Sequence, residues 1–251
     1  VYSGNYPGPS QDVGLYNNLD AVGDVNYDLL NATSTMVPSD GDYTVDVAVG
    51  DMNGDGKDDL LISNWDNNYV YYNNKGNAGS GMGDFRYSGS SQSLGGGGAA
   101  ENAMEPGDFD NDGDLDFYWS NASGSTGDRI YENTGNNAVS DEVIWSTLNI
   151  LPSSVTSRAS RKASVGDLNN DGRDDIFVAT QDANRPTVLR NTSVNGNISF
   201  VDWTPADAFP SNNSLRGWHG AIFDTNGDGD KDILLGAFSN DHLFESVPGN
   251  E

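Results

Sequence analysis

Oxygen-bearing side chains are spaced regularly in one short stretch of the sequence, DMNGDGKDD at 51–59. Its first, third, fifth and ninth positions are Asp51, Asn53, Asp55 and Asp59. Calcium binds six to eight oxygens at about 2.3–2.6 Å in flexible geometry. The glycine at the sixth position permits the sharp turn that folds a loop around an ion. This spacing therefore predicts a loop that binds calcium.

The same pattern occurs four times, starting at Asp51, Asp108, Asp167 and Asp224, with intervals of 57, 59 and 57 residues. A single Asp-Asn-Gly cluster is also typical of an ordinary turn, but four copies with the same ligand positions favour about four Ca²⁺ sites. Magnesium fits less well, because it tends to keep bound water. The seventh residue varies from basic to acidic, so we expect it to contribute its backbone carbonyl. The predicted ligands are Asp51, Asn53, Asp55, Lys57 and Asp59; Asp108, Asp110, Asp112, Asp114 and Asp116; Asp167, Asn169, Asp171, Arg173 and Asp175; and Asp224, Asn226, Asp228, Asp230 and Asp232.

The residues that flank each loop predict strands rather than helices. Before the first loop, Val45, Val47 and Val49 alternate with other residues, which is the period of a strand. After the loops come the short apolar runs DLLIS, DFYWS, DIFVA and DILLG. An EF-hand would need flanking helices and a glutamate at position 12, where this chain has Ile62, Trp119, Val178 and Leu235. The unit is therefore strand, metal loop, strand.

Four copies of Asp-x-Asp/Asn-x-Asp-Gly-x-x-Asp between two strands resemble the FG-GAP/VCBS repeat of integrin-α-like β-propellers. The resemblance implies an all-β propeller of four-stranded antiparallel blades, with calcium between the first two strands of each blade. Calling these strands A to D, the loop joins A to B. The fourth copy departs from the other three at one position, where Phe223 replaces the glycine that precedes the first aspartate.

Further strand patterns divide the chain into about 4.4 repeats of about 57 residues within one domain, 1–251. Strand C is predicted at 14–18, 69–74, 129–133, 187–191 and 242–246, and strand D at 25–30, 85–88, 143–146 and 200–203. The repeats are 1–37 (C and D only), 38–94, 95–152, 153–210 and 211–251 (A to C). Three arrangements fit such ends: a four- or five-bladed ring with an irregular closing blade, a piece of a larger propeller, or pairing of an end strand with another molecule.

The composition restricts the partners. Lys and Arg total 12 against 38 Asp and Glu, for a net charge of −26. A nucleic-acid partner or an anionic membrane surface is disfavoured, because both require a basic face. Adaptation to a salty medium is another reading of this acidity. The absence of cysteine excludes a disulfide framework and a thiol nucleophile, and no apolar run reaches the roughly 20 residues of a membrane span. We interpret Val1 as a processed or trimmed N-terminus.

Two connections that precede strand A carry cationic and aromatic side chains. SRASRK at 157–162 and SLRGWHG at 214–220 supply Arg158, Arg161, Lys162, Arg216, Trp218 and His219. In a propeller these connections lie on the face opposite the A–B loops. They are candidates for binding an acidic sugar or another carboxylate through bidentate contacts and ring stacking. In the competing interpretation the cations pair with nearby acids and Trp218 fills the interblade core.

The sequence contains no nucleophile elbow, P-loop or HExxH motif, so we expect no catalytic residue. The first hypothesis is a non-catalytic, extracellular or cell-surface recognition module that binds a glycan or a matrix protein. The second is a structural subunit that assembles through its terminal strands. The third is a polysaccharide lyase or hydrolase, or an accessory domain of one, because paired carboxylates are abundant.

Overall fold

The computed structural model describes residues 16–18, 29–31, 44–65, 67–73, 91–96, 102–122, 127–138, 142–180, 185–205, 209, 217–237 and 240–246. The regular elements among these residues are strands, apart from the single-turn helix α1 (Ser153–Thr156). The strands are β1 (Tyr16–Asn18), β2 (Leu29–Asn31), β3 (Thr44–Gly50), β4 (Asp59–Asn64), β5 (Asn67–Tyr71), β6 (Ser91–Gly96), β7 (Asn102–Gly107), β8 (Asp116–Asn121), β9 (Arg129–Asn136), β10 (Val143–Leu148), β11 (Ser160–Gly166), β12 (Asp175–Thr180), β13 (Thr187–Asn191), β14 (Phe200–Asp202), β15 (Gly217–Phe223), β16 (Asp232–Ala237) and β17 (His242–Phe244).

Four antiparallel sheets form the blades of a β-propeller, which confirms the predicted fold class. Blade 1 is β3–β6, blade 2 is β7–β10, blade 3 is β11–β14, and blade 4 is β15–β17 within the described part of the chain. The innermost strands β3, β7, β11 and β15 follow one another in contact around the centre. Strands β1 and β2 form a separate antiparallel pair. The described residues thus form four blades, and the arrangement of the chain ends stays a prediction.

Most of the strand positions agree with the sequence pattern, and one does not. Strand D of blade 1 is β6 at Ser91–Gly96, where it pairs with β5. The predicted position, 85–88, lies outside the described residues. The sequence of β6, SQSLGG, is rich in serine and glycine, which are poor strand formers. Its strand conformation follows from pairing with β5 rather than from its own preference.

The B strands of blades 1, 2 and 3 are buried on both faces. Every residue of β4, β8 and β12 is buried, which explains their continuous apolar runs. At the eleventh position of the repeat, Leu61, Tyr118 and Phe177 each belong to an apolar cluster shared with the next blade. The equivalent residue of blade 4, Leu234, is 37% exposed, and its strand partner Leu243 is 47% exposed. The outward face of blade 4 is therefore apolar and accessible.

The glycine before each of the first three loops lets two blades approach closely. A Cβ at Gly107 would lie 2.8 Å from Phe109 Cε1 and 2.8 Å from Val165 Cγ1 of blade 3. A Cβ at Gly166 would lie 3.1 Å from Ile222 of blade 4. Such separations are shorter than van der Waals contact, so only glycine fits. The departure at Phe223 occurs on blade 4, where that side chain is 40% exposed.

Candidate functional site

The four A–B loops follow the same backbone course. In each loop two residues have positive φ, which favours glycine and asparagine. The sixth position is always glycine, as the sequence predicted. The sequence analysis did not predict a positive φ at the fourth position. The signal for it was that this position is Gly or Asn in every loop. The positive-φ residues are Gly54, Asn111, Asn170 and Gly227 at position 4, and Gly56, Gly113, Gly172 and Gly229 at position 6.

The first aspartate of each loop organises the turn by accepting backbone hydrogen bonds. Asp51 Oδ1 accepts from the amide of Asp55 at 3.0 Å, and Asp51 Oδ2 accepts from the amide of Gly56 at 2.8 Å. The same two bonds occur at Asp108 and Asp167. At Asp224, Oδ2 accepts from Gly229 at 3.0 Å and Oδ1 from Gly227 at 2.6 Å. These bonds hold the first carboxylate on the inside of the loop.

The third and fifth side chains are held in the same way. In the first loop Asn53 Oδ1 accepts from the amide of Asp55 at 3.2 Å, and Asp55 Oδ1 accepts from the amide of Lys57 at 3.0 Å. Both bonds recur in the other three loops. Amides of the same loop therefore hold the side-chain oxygens of positions 1, 3 and 5 in all four loops.

The second loop tests whether these oxygens can share an ion. One carboxylate oxygen from each of Asp108, Asp110 and Asp116 lies within 4.8 Å of the others. Two oxygens bound to the same Ca²⁺ at about 2.4 Å are at most about 4.8 Å apart. The donors are all oxygens, which suits calcium better than the softer transition metals. The carboxylates at positions 1, 3 and 9 of the second loop thus fit a calcium ion, and among the described residues no other group of three acids lies so close together.

The aspartate at position 9 has a second role that the sequence did not reveal. Asp59 is fully buried, and its two oxygens accept from the amides of Met52 (3.0 Å) and Asn73 (2.8 Å). It therefore ties the loop to the end of strand C. The same bonds occur at Asp116, Asp175 and Asp232. At Asp59, Asp116 and Asp175 each oxygen keeps a lone pair with which it could also bind metal. Both oxygens of Asp232 accept a second bond, from the hydroxyls of Thr225 and Ser246.

Burial changes the acidity of these position-9 carboxyls. Desolvation raises the pKa of Asp59 and Asp175 to about 6 and that of Asp116 to about 7, although the backbone hydrogen bonds oppose this. The pKa of Asp232 is instead lowered, first by the hydrogen bond from the Thr225 hydroxyl. A bound cation would favour the charged form in all four loops.

The side chain at position 7 adjusts the charge of two loops. Lys57 forms an ion pair with Asp55, and Arg173 donates to Asp171 Oδ2 at 2.6 Å. In the other two loops the residues are Asp114 and Asp230. The first and third loops therefore carry less negative charge than the second and fourth. The role of the position-7 carbonyls as ligands stays a prediction.

Asparagine side chains join the first and second loops to strand C of the next blade. Asn133 Nδ2 at the end of strand C in blade 2 donates to the carbonyl of Met52 in the first loop at 2.9 Å. Asn191 makes the same bond to the carbonyl of Phe109 in the second loop at 2.9 Å. The order of one loop is thus coupled to the position of the next blade.

On the opposite face, the structure brings two of the predicted binding residues together. The guanidinium of Arg161 lies 4.0 Å from the ring centroid of Trp218, which is within cation–π range. Trp218 is 46% exposed, so it does not fill the interblade core. Arg161 is on the innermost strand of blade 3 and Trp218 on that of blade 4. Both residues are the second residue of their strand, β11 or β15, at this face.

Lys162 has acidic partners, as the competing interpretation required. Its Nζ lies 2.8 Å from Asp46 Oδ1 and 3.3 Å from Glu105 Oε1. These residues come from the innermost strands of blades 1, 2 and 3, and we call them the axial cluster. His219 lies near it, and its pKa is lowered first by burial and then by Lys162.

The remaining candidates of this face are placed elsewhere or fall outside the described residues. Arg158 Nη1 donates to the carbonyl of Arg185 at 3.2 Å, which fixes it between α1 and strand β13. Arg216 lies outside the part of the chain that the structure describes. The candidate face thus consists of Arg161 and Trp218, with Lys162 and His219 beside them.

The sequence was compared with protein families and with curated proteins. The model of the FG-GAP-like repeat matches residues 51–119, 108–178 and 167–235. Each match starts at the first aspartate of one loop and ends in strand B after the next, so the matched unit contains two metal loops. Comparison with curated proteins gave no significant match. No helix among the described residues is long and apolar enough to cross a membrane. The chain belongs to the FG-GAP-like repeat family.

Proposed function

We propose that this protein is a non-catalytic, extracellular recognition module whose four A–B loops each bind a calcium ion. The observation that carries the proposal is the fourfold repetition of one loop, in which amides of the same loop hold the side-chain oxygens of positions 1, 3 and 5. A propeller of FG-GAP-like repeats fits a module of this kind. The calcium ions fix one face of the propeller, and the opposite face is left to bind a partner.

Calcium binding and local folding should be coupled. Each loop carries at least four acidic side chains within nine residues, and they repel one another without a cation. Calcium that binds only the folded loop stabilises the protein by mass action. We expect EGTA to lower the Tm sharply and added calcium, but not equimolar magnesium, to restore it. An unchanged Tm in EGTA would contradict the calcium sites.

The proposed recognition surface is the stacked pair Arg161 and Trp218. A guanidinium beside an exposed indole can bind a carboxylate with its N–H groups while the ring contacts the apolar face of a sugar. The axial cluster next to it brings Lys162 and two carboxylates, so the surface has mixed charge. An acidic saccharide or a carboxylate-bearing matrix partner is the class of ligand that this chemistry suits.

A glycan array tests this surface. We expect binding to acidic glycans, which R161A and W218A should each weaken at least tenfold. K231A removes one positive charge next to a calcium loop and serves as the matched control, with unchanged binding. An array without acidic glycan binding, or equal loss in all three variants, would contradict the proposed surface and leave the calcium sites untouched.

A second candidate function, assembly of several copies, is favoured by the outward face of blade 4. Leu234 and Leu243 are strand partners and remain 37% and 47% exposed. A second copy could bury them, since larger exposed apolar patches mark interaction sites. Light scattering should show association that L234D abolishes, whereas a monomer at high concentration would exclude this function.

A further inference from the structure

A groove runs along the circumference of the propeller where the outer strands of blades 1 and 2 meet. Its volume is about 400 Å³, within the ~300–1,000 Å³ of typical small-molecule sites. We call it the rim groove. Its lining includes Gln92 and Leu94 from β6, Tyr131 from β9, and Glu142, Trp145 and Thr147 from the segment around β10. No residue of the metal loops or of the Arg161–Trp218 surface belongs to this lining.

The floor of the rim groove is held by a hydrogen-bond network that links the two blades. Gln92 Oε1 accepts from the Tyr72 hydroxyl at 2.7 Å and from Trp145 Nε1 at 3.2 Å. Gln92 Nε2 donates to the carbonyl of Val143 at 3.0 Å, and the Val143 amide donates to the Tyr72 hydroxyl at 2.9 Å. Gln92 is therefore fixed in one orientation. A primary amide carries two N–H groups, so one donor of Nε2 is not used by these bonds.

The aromatic wall of the groove is rigid because it is packed from behind. The buried ring of Phe117 stacks on Tyr131 with centroids 4.6 Å apart and meets Trp145 edge-on at 4.8 Å. Both outer rings are partly exposed. A binding site that is already ordered avoids the entropy cost of fixing side chains on association. The groove thus presents preformed apolar ring surface.

The chemistry of the rim identifies the class of ligand. Thr147 offers a hydroxyl, Gln92 an amide and Glu142 a carboxylate next to the rings. The chain carries a net charge of −26, and the described lining contains no cation, so an anionic ligand is repelled. A neutral pyranose matches both properties, since its C–H face packs on aromatic rings and its hydroxyls bond to amides and carboxylates.

We propose that the rim groove binds one or two residues of a neutral saccharide. The sugar ring packs against Trp145 and Tyr131, and its hydroxyls bond to Gln92 and Glu142. This site is independent of the proposed acidic-glycan surface, because it lies on the outer strands of other blades. With so few ligand atoms, the dissociation constant should be on the order of 1 mM.

The experiment is an NMR titration of the full chain, saturated with calcium, with neutral disaccharides of glucose, galactose and N-acetylglucosamine. The indole N–H of Trp145 donates to Gln92, so its resonance, assigned with W145F, should shift on binding. T147R places a long side chain in the groove from an exposed position and should abolish the shift. V201R makes the same kind of change on the exposed outer strand of blade 3 and should leave binding unchanged.

The outcomes separate this proposal from that of the acidic-glycan surface. Binding lost in T147R but kept in R161A and W218A would support the rim groove. Failure of every neutral sugar to shift the Trp145 indole at millimolar concentration would overturn it, as would equal binding by T147R and the wild type. A loss in R161A together with an unshifted Trp145 indole would assign the sugar to the other face and overturn the rim groove as well.

Discussion

The ninth aspartate of each loop is a predicted metal ligand and also accepts backbone hydrogen bonds. Asp59 accepts two backbone hydrogen bonds and is fully buried, whereas its neighbour Asp58 is exposed. The two residues have the same side chain and adjacent positions. Their environments differ because Asp58 is the last residue of the exposed loop, whereas Asp59 begins the buried strand β4. The pair allows the structural role to be tested apart from charge.

We predict that D59A destabilises the protein by about 2–4 kcal/mol even without calcium, because two buried N–H groups lose their acceptor. D58A should change stability by less than about 0.5 kcal/mol. Urea unfolding of both variants in EGTA measures the difference. Equal stabilities would mean that Asp59 acts only as a metal ligand.

Glu105 in the axial cluster makes a pH-dependent contribution to the stability of the fold. Burial raises its pKa to about 7, with Asp46 contributing in the same direction and Lys162 opposing. A carboxyl whose pKa is higher in the folded protein than in the unfolded chain favours folding while it is protonated. Its contribution is therefore complete below about pH 4.5 and is lost as the pH rises through about 7.

We predict that the free energy of unfolding of E105Q rises relative to that of the wild type between about pH 5 and about pH 8, by roughly 1–3 kcal/mol. Glutamine stays neutral, so it does not have a charge to desolvate at the higher pH. Urea unfolding in saturating calcium at both pH values measures the change. E245Q, at an exposed position, is the control and should show no such trend. A pH-independent difference for E105Q would refute the assignment.

At the level of the elements, the junctions between blades depend on the small residue before each loop. Gly107 is surrounded by Phe109 of its own loop and Val165 of the next blade. Both neighbours lie in packed apolar clusters with little room to move. At blade 4 the corresponding residue is Phe223, and the apolar residue at position 2 is replaced by Thr225. Blade 4 therefore differs from the other three blades at two residues of this junction, Phe223 and Thr225.

We predict that G107A costs about 1–3 kcal/mol, because the added methyl overpacks the junction of blades 2 and 3. G236A is the matched control, since its Cβ would meet no atom closer than 3.5 Å. Thermal or urea unfolding of the two variants in calcium compares them directly. If G107A were as stable as G236A, the junction would not be close-packed at this point.

At the scale of the whole molecule, the excess of acidic side chains causes a charge repulsion that bound calcium would reduce. The chain carries a net charge of −26, and many of the acids lie in four loops on one face. Four calcium ions would bring the net charge to about −18 and neutralise the most crowded carboxylates. Asparagine bonds join a loop to strand C of the next blade, so repulsion within that loop also acts on the junction between the two blades.

We predict that monovalent salt raises the Tm of the calcium-free protein more than that of the calcium-bound protein. At physiological ionic strength charges more than about 8 Å apart are largely screened, so salt partly replaces the missing cations. Calorimetry in EGTA and in calcium, each over a range of NaCl, measures the two slopes. Equal slopes would show that repulsion between the loops contributes little to stability.

The sequence by itself determined the features that depend on residues close together in the chain. The positions of Asp51, Asn53 and Asp55, the glycine turn and the flanking apolar runs specify a strand–loop–strand unit, because a loop of nine residues is organised by its own hydrogen bonds. Four copies at an even interval then indicated repeated blades. Asp58 falls outside the predicted ligand positions, and its side chain is exposed.

The tertiary structure alone decided the features that depend on residues far apart in the chain. Lys162 meets acids from two other blades, Asp59 ties its loop to strand C, and Gln92 joins β6 to a strand of the next blade. None of these contacts produces a periodic pattern in the sequence, because each depends on how parts distant in the chain pack together. The strand β6 and the groove beside it were missed for the same reason: the pairing with β5 and the packing against blade 2 create them.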